Sequence, residues 1–400
     1  MVFVLIFAVT LLCAVLVSGL AQRSVLSTAV LFLVAGFVVG ERVLGLVTLR
    51  PDAPVVSTLI ELALFSVLFT EGMQLGAHDL TSAWQLPGRA LLLGLPLTLG
   101  GTALLAHLLV GLPWIAALLL GAALSPTDPV LATAIVGRRE VPQRLRHLLN
   151  IESGLNDGLA LPVVFGMLAL LGTSEVGIWT LLDLASGVAL GIFVPWAAAY
   201  LERIPLFSVS PSYQPLYAVA VGLLVLSTAS LTHSNEFLAA FTAGVTVATV
   251  STELRNEFRQ FGELVTELLK LLGLLIFGSF ISPRFLAEIS WDGYVFAFLV
   301  LIAVRPFALW LALWGSPFTR REWVAAAWFG PKGFASMFFG LLVLKAGVSD
   351  GDQLFYLIAL VVAGSIVAHS STDVIVARWV QGPQSELVSP SRHKPVESKG

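Results

Sequence analysis

Four hundred residues, 57% of them hydrophobic and only 12% charged, hold too little polar material to cover a water-soluble globule of this size. The mean hydropathy of +0.91 points instead to an all-α integral membrane protein with many spans. A net charge of -3 argues against a nucleic-acid or acidic partner, and the single cysteine, Cys13, excludes an intrachain disulfide.

Apolar runs near the ~20 residues that cross hydrocarbon at helical rise fall at 2-20, 25-40, 55-75, 89-110, 113-136, 145-171, 177-201, 214-232, 236-252, 261-281, 292-314, 322-345 and 353-377. They predict about thirteen transmembrane helices. The first run ends in small residues, as a signal peptide does, but lacks a basic leading region, so it is expected to be retained. With the N-terminus outside, fifteen of the 22 Lys and Arg residues fall on the inner side. That excess puts the C-terminus in the cytoplasm of a multi-pass cell-membrane protein. Trp84, Trp114, Trp179, Trp291, Trp314, Trp323 and Trp379 lie near span ends, where tryptophan anchors a helix against lipid. Residues 253-260 read as a short surface helix between spans. Residues 1-380 form one transmembrane domain, and 381-400, with three prolines and alternating charges, a disordered cytoplasmic tail.

Two spans are interrupted. In the fifth, Ser125-Pro126-Thr127-Asp128-Pro129 removes backbone donors and should open the helix at Thr127 and Asp128. In the twelfth, Gly330-Pro331-Lys332-Gly333 does the same. The breaks occupy matching places in spans one to six and eight to thirteen, and the odd offset of seven gives the halves opposite orientation. This is the layout of two inverted repeats with crossed, interrupted helices, whose crossing is a binding site.

Charged residues inside spans mark ion routes. On the sixth span Glu152 and Asn156 share one helical face, and Ser153 and Asp157 the adjoining one. A hydroxyl and a carboxylate one turn apart can share an ion, and Asp157 is the expected exchanging group, open to a proton or a cation but not to both. Glu152 needs a buried partner, for which Arg305, just before Pro306, is the candidate. Lys332 has three readings: compensating the carbonyl ends of the broken helix, balancing Asp128, or snorkelling to the interface. Lys270 is expected to pair with Glu267 at i, i+3. Glu71 either lines the inner entrance or is simply solvated. The six histidines show no metal-ligand spacing.

Thr127-Asp128-Pro129, Glu152-Ser153-x-x-Asn156-Asp157, Arg305-Pro306 and the Gly-x-basic-Gly break together resemble the NhaP/NHE branch of the monovalent cation:proton antiporters. The resemblance implies a homodimer in which a mobile core of spans four to six and eleven to thirteen, roughly 89-171 and 292-377, moves against a scaffold. It implies exchange of Na⁺ or Li⁺ for H⁺, with Na⁺ at Asp157, Asp128, Ser153 and Thr127, and Asn156 and Glu71 around the site. It also implies a structural Glu152-Arg305 pair. The Asn156-Asp157 form, in place of paired aspartates, implies electroneutral one-for-one exchange. No cofactor is expected beyond the transported ions. Lys332 departs from the arginine usual in the family, and the two are not equivalent at a multidentate site. A K⁺/H⁺ antiporter is the nearest rival and a cation channel a remoter one. An intramembrane enzyme is disfavoured by the lack of Gly-x-Gly-Asp, His-Glu-x-x-His and Gly-x-Ser-Gly motifs.

Overall fold

The computed structural model describes residues 1-21, 27-41, 43-49, 53-75, 86-128, 141-172, 178-204, 206-207 and 209-381. Pro129 and residues 382-400 of the tail expected at 381-400 lie outside these residues, while Gln381 ends the last helix. Helices account for the described chain apart from loops and one isolated bridge between Gly40 and Val47. That is the outcome a hydrocarbon solvent selects, because a helix satisfies its own backbone.

The longer helices are α1 (Val2–Ala21), α2 (Thr28–Val39), α3 (Pro54–Gln74), α4 (Leu86–Val110), α5 (Trp114–Ala123), α6 (Gln143–Gly172) and α7 (Ile178–Glu202). They continue with α8 (Gln214–Leu231), α9 (Glu236–Val250), α10 (Thr252–Phe280), α11 (Trp291–Ala312), α12 (Arg320–Trp328), α13 (Phe334–Ala346) and α14 (Gly351–Gln381). Among the described residues seven segments are long and apolar enough to cross a membrane, and five shorter helices are apolar.

Local chemistry sets several of the ends. Asn235 caps α9, its side chain accepting from the Leu238 amide at 2.8 Å. Thr319 and Glu322 form a reciprocal capping box at the start of α12. Ser251 alone separates α9 from α10, and its hydroxyl accepts from the Leu254 amide. Residues 253-260 are therefore the first turns of α10 and not a separate surface helix. The serine cap starts the helix early, and its charged opening turns run straight into the apolar stretch.

The helices pack in two groups. In one, α9 packs against α3, α7 and α8, while α10 packs against α2, α3 and α8. In the other, α4, α5, α6 and α11 to α14 pack on one another. Gly72 on α3 and Gly244 on α9 face each other so closely that a Cβ on either would stand 2.4 or 2.2 Å from a carbonyl of the opposite helix. Small residues let the backbones meet where lipid offers no hydrophobic drive to association.

α3 and α10 are tied by polar contacts. Arg255 donates to the Gln74 carbonyl at the end of α3, and the Thr70 and Thr266 hydroxyls share a hydrogen bond of 2.9 Å. These contacts fix the register that brings the next residue of α3, Glu71, to the next turn of α10.

Candidate functional site

α5 stops at Ala123, and residues 126–128 carry no helix. Pro126 and the turn before it force the chain out of the ladder, and the same happens between α12 and α13 at Gly330 to Gly333. The two breaks meet: the Asp128 amide donates to the Pro331 carbonyl at 2.9 Å. Glycine is required at this crossing. A Cβ at Gly333 would lie 2.2 Å from the Asp128 Cβ, and one at Gly330 would lie 1.9 Å from the Arg305 Nε.

Each broken end receives a charge of the right sign. Lys332, 2% exposed, donates from Nζ to the carbonyls of Ser125 and Pro126 at 3.2 and 3.3 Å. This is the carbonyl-capping alternative of the sequence reading, and it removes snorkelling. Asp128 Oδ2 accepts from the Phe334 amide at 3.1 Å, at the positive end of α13. Arg305 Nη2 reaches the Ala326 and Phe329 carbonyls at the end of α12. A π-helical turn at Val300–Val304 and the missing donor of Pro306 bracket Arg305.

The buried acidic groups fall into two sets. Glu152 takes both guanidinium arms of Arg305 at 2.7 and 3.0 Å, a bidentate pair buried on both sides. Glu71, Asp128 and Asp157, all buried, form the other set. Between Glu71 and Asp128 lies Lys270, with Nζ 3.5 Å from Glu71 Oε1 and 3.4 Å from Asp128 Oδ1. The expected Lys270–Glu267 pair does not form. Spacing along one helix cannot see that the lysine stem points across the bundle to another break. Glu71 is 5% exposed, which rules out the merely solvated alternative.

A chain of small polar groups links the fifth and sixth spans. Asn156 Nδ2 donates to Thr127 Oγ1 at 2.6 Å, and Thr127 Oγ1 lies 3.2 Å from Ser153 Oγ. One turn of α6 past Asp157, Pro162 has no amide to return to the Gly158 carbonyl, which loosens the ladder beside the site. Four acceptor oxygens in the cluster, Glu71 Oε1 and Oε2, Asn156 Oδ1 and Asp157 Oδ1, are buried without a hydrogen-bond donor among the described residues. Buried oxygens left without donors ask for a cation or a proton.

The sequence model of the transmembrane sodium/hydrogen exchangers matches residues 7–379. The chain belongs to the sodium/hydrogen exchanger family. Members of this family are secondary transporters of monovalent cations and protons, not enzymes.

The exchanger is 26% identical over 404 residues to the K⁺/H⁺ antiporter NhaP of Alkalimonas amylolytica, covering 99% of this chain and 70% of that protein. A shorter stretch of 73 residues is 52% identical to Na⁺/H⁺ antiporter 2 of Zygosaccharomyces rouxii, covering 17% of this chain and 9% of that one. Among solved structures, the sodium proton antiporter MjNhaP1 of Methanocaldococcus jannaschii superposes with a TM-score of 0.79 at 17% identity, over 95% of this chain and 98% of that one. That likeness establishes the fold of the exchanger.

Sequence reasoning did not assign Lys270 to the cluster, nor did it find the buried Ser365 and His369. Ser365 Oγ takes the Lys332 amide at 2.6 Å and lies 3.0 Å from His369 Nδ1, which steadies the twelfth-span break from α14. Ser365 and His369 stand four residues apart, so helical spacing carried a signal for their contact with each other but none for the break they support.

Proposed function

We propose that this exchanger moves Na⁺ or Li⁺ against H⁺, one for one, by alternating access, with Asp157 holding either ion in turn. The observation that carries the reading is the set of buried acceptors without donors on Glu71, Asn156 and Asp157. Leaving such a group unsatisfied costs ~1–3 kcal/mol, and a proton or a stripped alkali cation supplies what it lacks. Because one carboxylate cannot hold both, the two ions compete, and competition with alternating exposure is sufficient for exchange.

Thr127, Asp128 and Ser153 stand in hydrogen-bond or ion-pair reach of the same cluster and supply further oxygens to the cation. Asn156 contributes polarity without a second charge, which favours electroneutral exchange. The helix group of α4 to α6 and α11 to α14 is the candidate moving core, and the group of α2, α3 and α7 to α10 the candidate scaffold. Thirteen spans, a homodimer and a cytoplasmic C-terminus complete the reading, the last supported by the excess of Lys and Arg on one side.

A K⁺/H⁺ antiporter is the second reading, favoured by the relatives named K⁺/H⁺ antiporters that match nearly the whole chain. Proton movement from reconstituted protein against Na⁺, Li⁺ and K⁺ separates the two. Asp157→Asn is expected to abolish cation-driven proton movement while the protein still inserts. Retained exchange would remove Asp157 from the mechanism.

A further inference from the structure

Two buried basic side chains face carboxylates in this bundle, and they are held very differently. Arg305 makes a two-armed contact with Glu152 at 2.7 and 3.0 Å and adds two helix-end carbonyls. Lys270 has three donors on a flexible stem but, among the described residues, makes one hydrogen bond, 3.4 Å long, to Asp128 Oδ1. Glu71 Oε1, at 3.5 Å, completes an ion pair without a hydrogen bond. A buried ammonium held by long contacts is poorly matched to a purely structural role, which favours short, saturated bonds.

Its position is equally informative. The ammonium stands between two of the buried carboxylates, 3.5 Å from Glu71 and 3.4 Å from Asp128. The contact also joins the two helix groups. Lys270 is carried by α10, which is tied to α3 through Thr266 and Arg255. Asp128 belongs to the crossed breaks, bonded to Pro331 and Phe334.

We propose that Lys270 is a tethered competitor of the transported cation: its ammonium holds Glu71 and Asp128 and is displaced when a monovalent cation enters. This rests on Asp157 as the ion-carrying group. While it holds these carboxylates, the ammonium ties the α3 and α10 unit to the crossed breaks. An arriving alkali ion neutralises the same carboxylates, weakens their hold on Lys270, and frees the breaks to shift. A competitor on a tether has a fixed local concentration, so it raises the amount of free cation needed to fill the site.

The test uses full-length protein in liposomes, with Na⁺ and K⁺ each as the probe. Initial proton movement is followed against cation concentration for the unaltered chain, Lys270→Gln, Lys270→Met and Lys270→Arg, with Asp157→Asn as reference. Removing the ammonium is expected to lower the half-saturating cation concentration about five- to tenfold, the low end of a site-to-site coupling. Lys270→Arg keeps the charge and should leave that concentration unchanged or raise it. Where a neutral variant folds but does not transport, the same comparison is read from the cation-dependent rise in its unfolding temperature.

A merely structural lysine would lose activity on neutralisation without tighter cation binding. An unchanged or raised half-saturating concentration in the neutral variants, with Asp157→Asn inactive, overturns the displacement and leaves the exchange site intact. Loss of folded protein in both neutral variants while Lys270→Arg folds makes the lysine a structural counter-charge and overturns it equally. Exchange retained in Asp157→Asn would instead remove the reading on which the proposal rests.

Discussion

Lys332 and Asp128 are traded between the two helix breaks. The lysine from the twelfth-span break donates to the carbonyls that end the fifth-span helix, while the aspartate from the fifth-span break accepts the first amide of α13. Each interruption is thus completed by the other, so the crossing is one electrostatic unit.

If that unit holds the crossing, Lys332→Met leaves two buried carbonyls without their donor. The expected loss is ~1–3 kcal/mol, read as a lower unfolding temperature of the detergent-solubilised protein. An unchanged midpoint would mean that the carbonyls find other donors.

Removing one side of the Glu152–Arg305 pair strands a buried charge, which costs ~3–5 kcal/mol. Glu152→Gln should therefore reduce folded yield sharply, and adding Arg305→Gln should recover part of it. A double variant no better than the single one would deny the coupling.

The glycines at the twelfth-span break should tolerate no side chain. Gly330→Ala and Gly333→Ala are expected to lose most folded protein, because the new Cβ would lie 1.9 and 2.2 Å from Arg305 and Asp128 atoms. Gly166→Ala is the control: nothing lies within 4 Å of its Cβ position, and helix propensity favours alanine by ~1 kcal/mol. Purified yield after membrane extraction checks all three.

Thr127→Val keeps the shape of the side chain but removes the oxygen that takes the 2.6 Å hydrogen bond of Asn156. The Asn156 amide is left with only the Thr127 carbonyl at 3.5 Å; the loss of ~1–3 kcal/mol appears as a rise of roughly five- to 150-fold in half-saturating cation concentration if the bond orients the site. Equal values for the variant and the unaltered chain would make Thr127 a packing residue.

The two breaks were readable because Pro126, Gly330 and Pro331 announce them within a few residues, and the sixth-span polar groups because helical spacing sorts Glu152 and Asn156 from Ser153 and Asp157. What spacing cannot give is the partner on another helix. Lys270 looked like the neighbour of Glu267, since both lie on α10, whereas its length carries it to Asp128. The three readings of Lys332 stayed open for the same reason: the distance between the breaks is a tertiary quantity. The boundary before α10 was missed because the charges of residues 253-260 read as the solvated face of a separate surface helix. They belong to the early turns of a continuous helix that starts at Thr252, behind the serine that caps it.

Ser251 is a knuckle one residue long. α9 leans on α6, with the Phe241 ring so near Gly158 that a Cβ there would meet it at 2.7 Å, and α10 carries Lys270. Should α6 shift, a joint this short would pass a tilt of α9 on to the helix that carries the lysine as a change of angle. A few glycines spliced in at residue 251 would loosen that mechanical link while leaving every charge where it is.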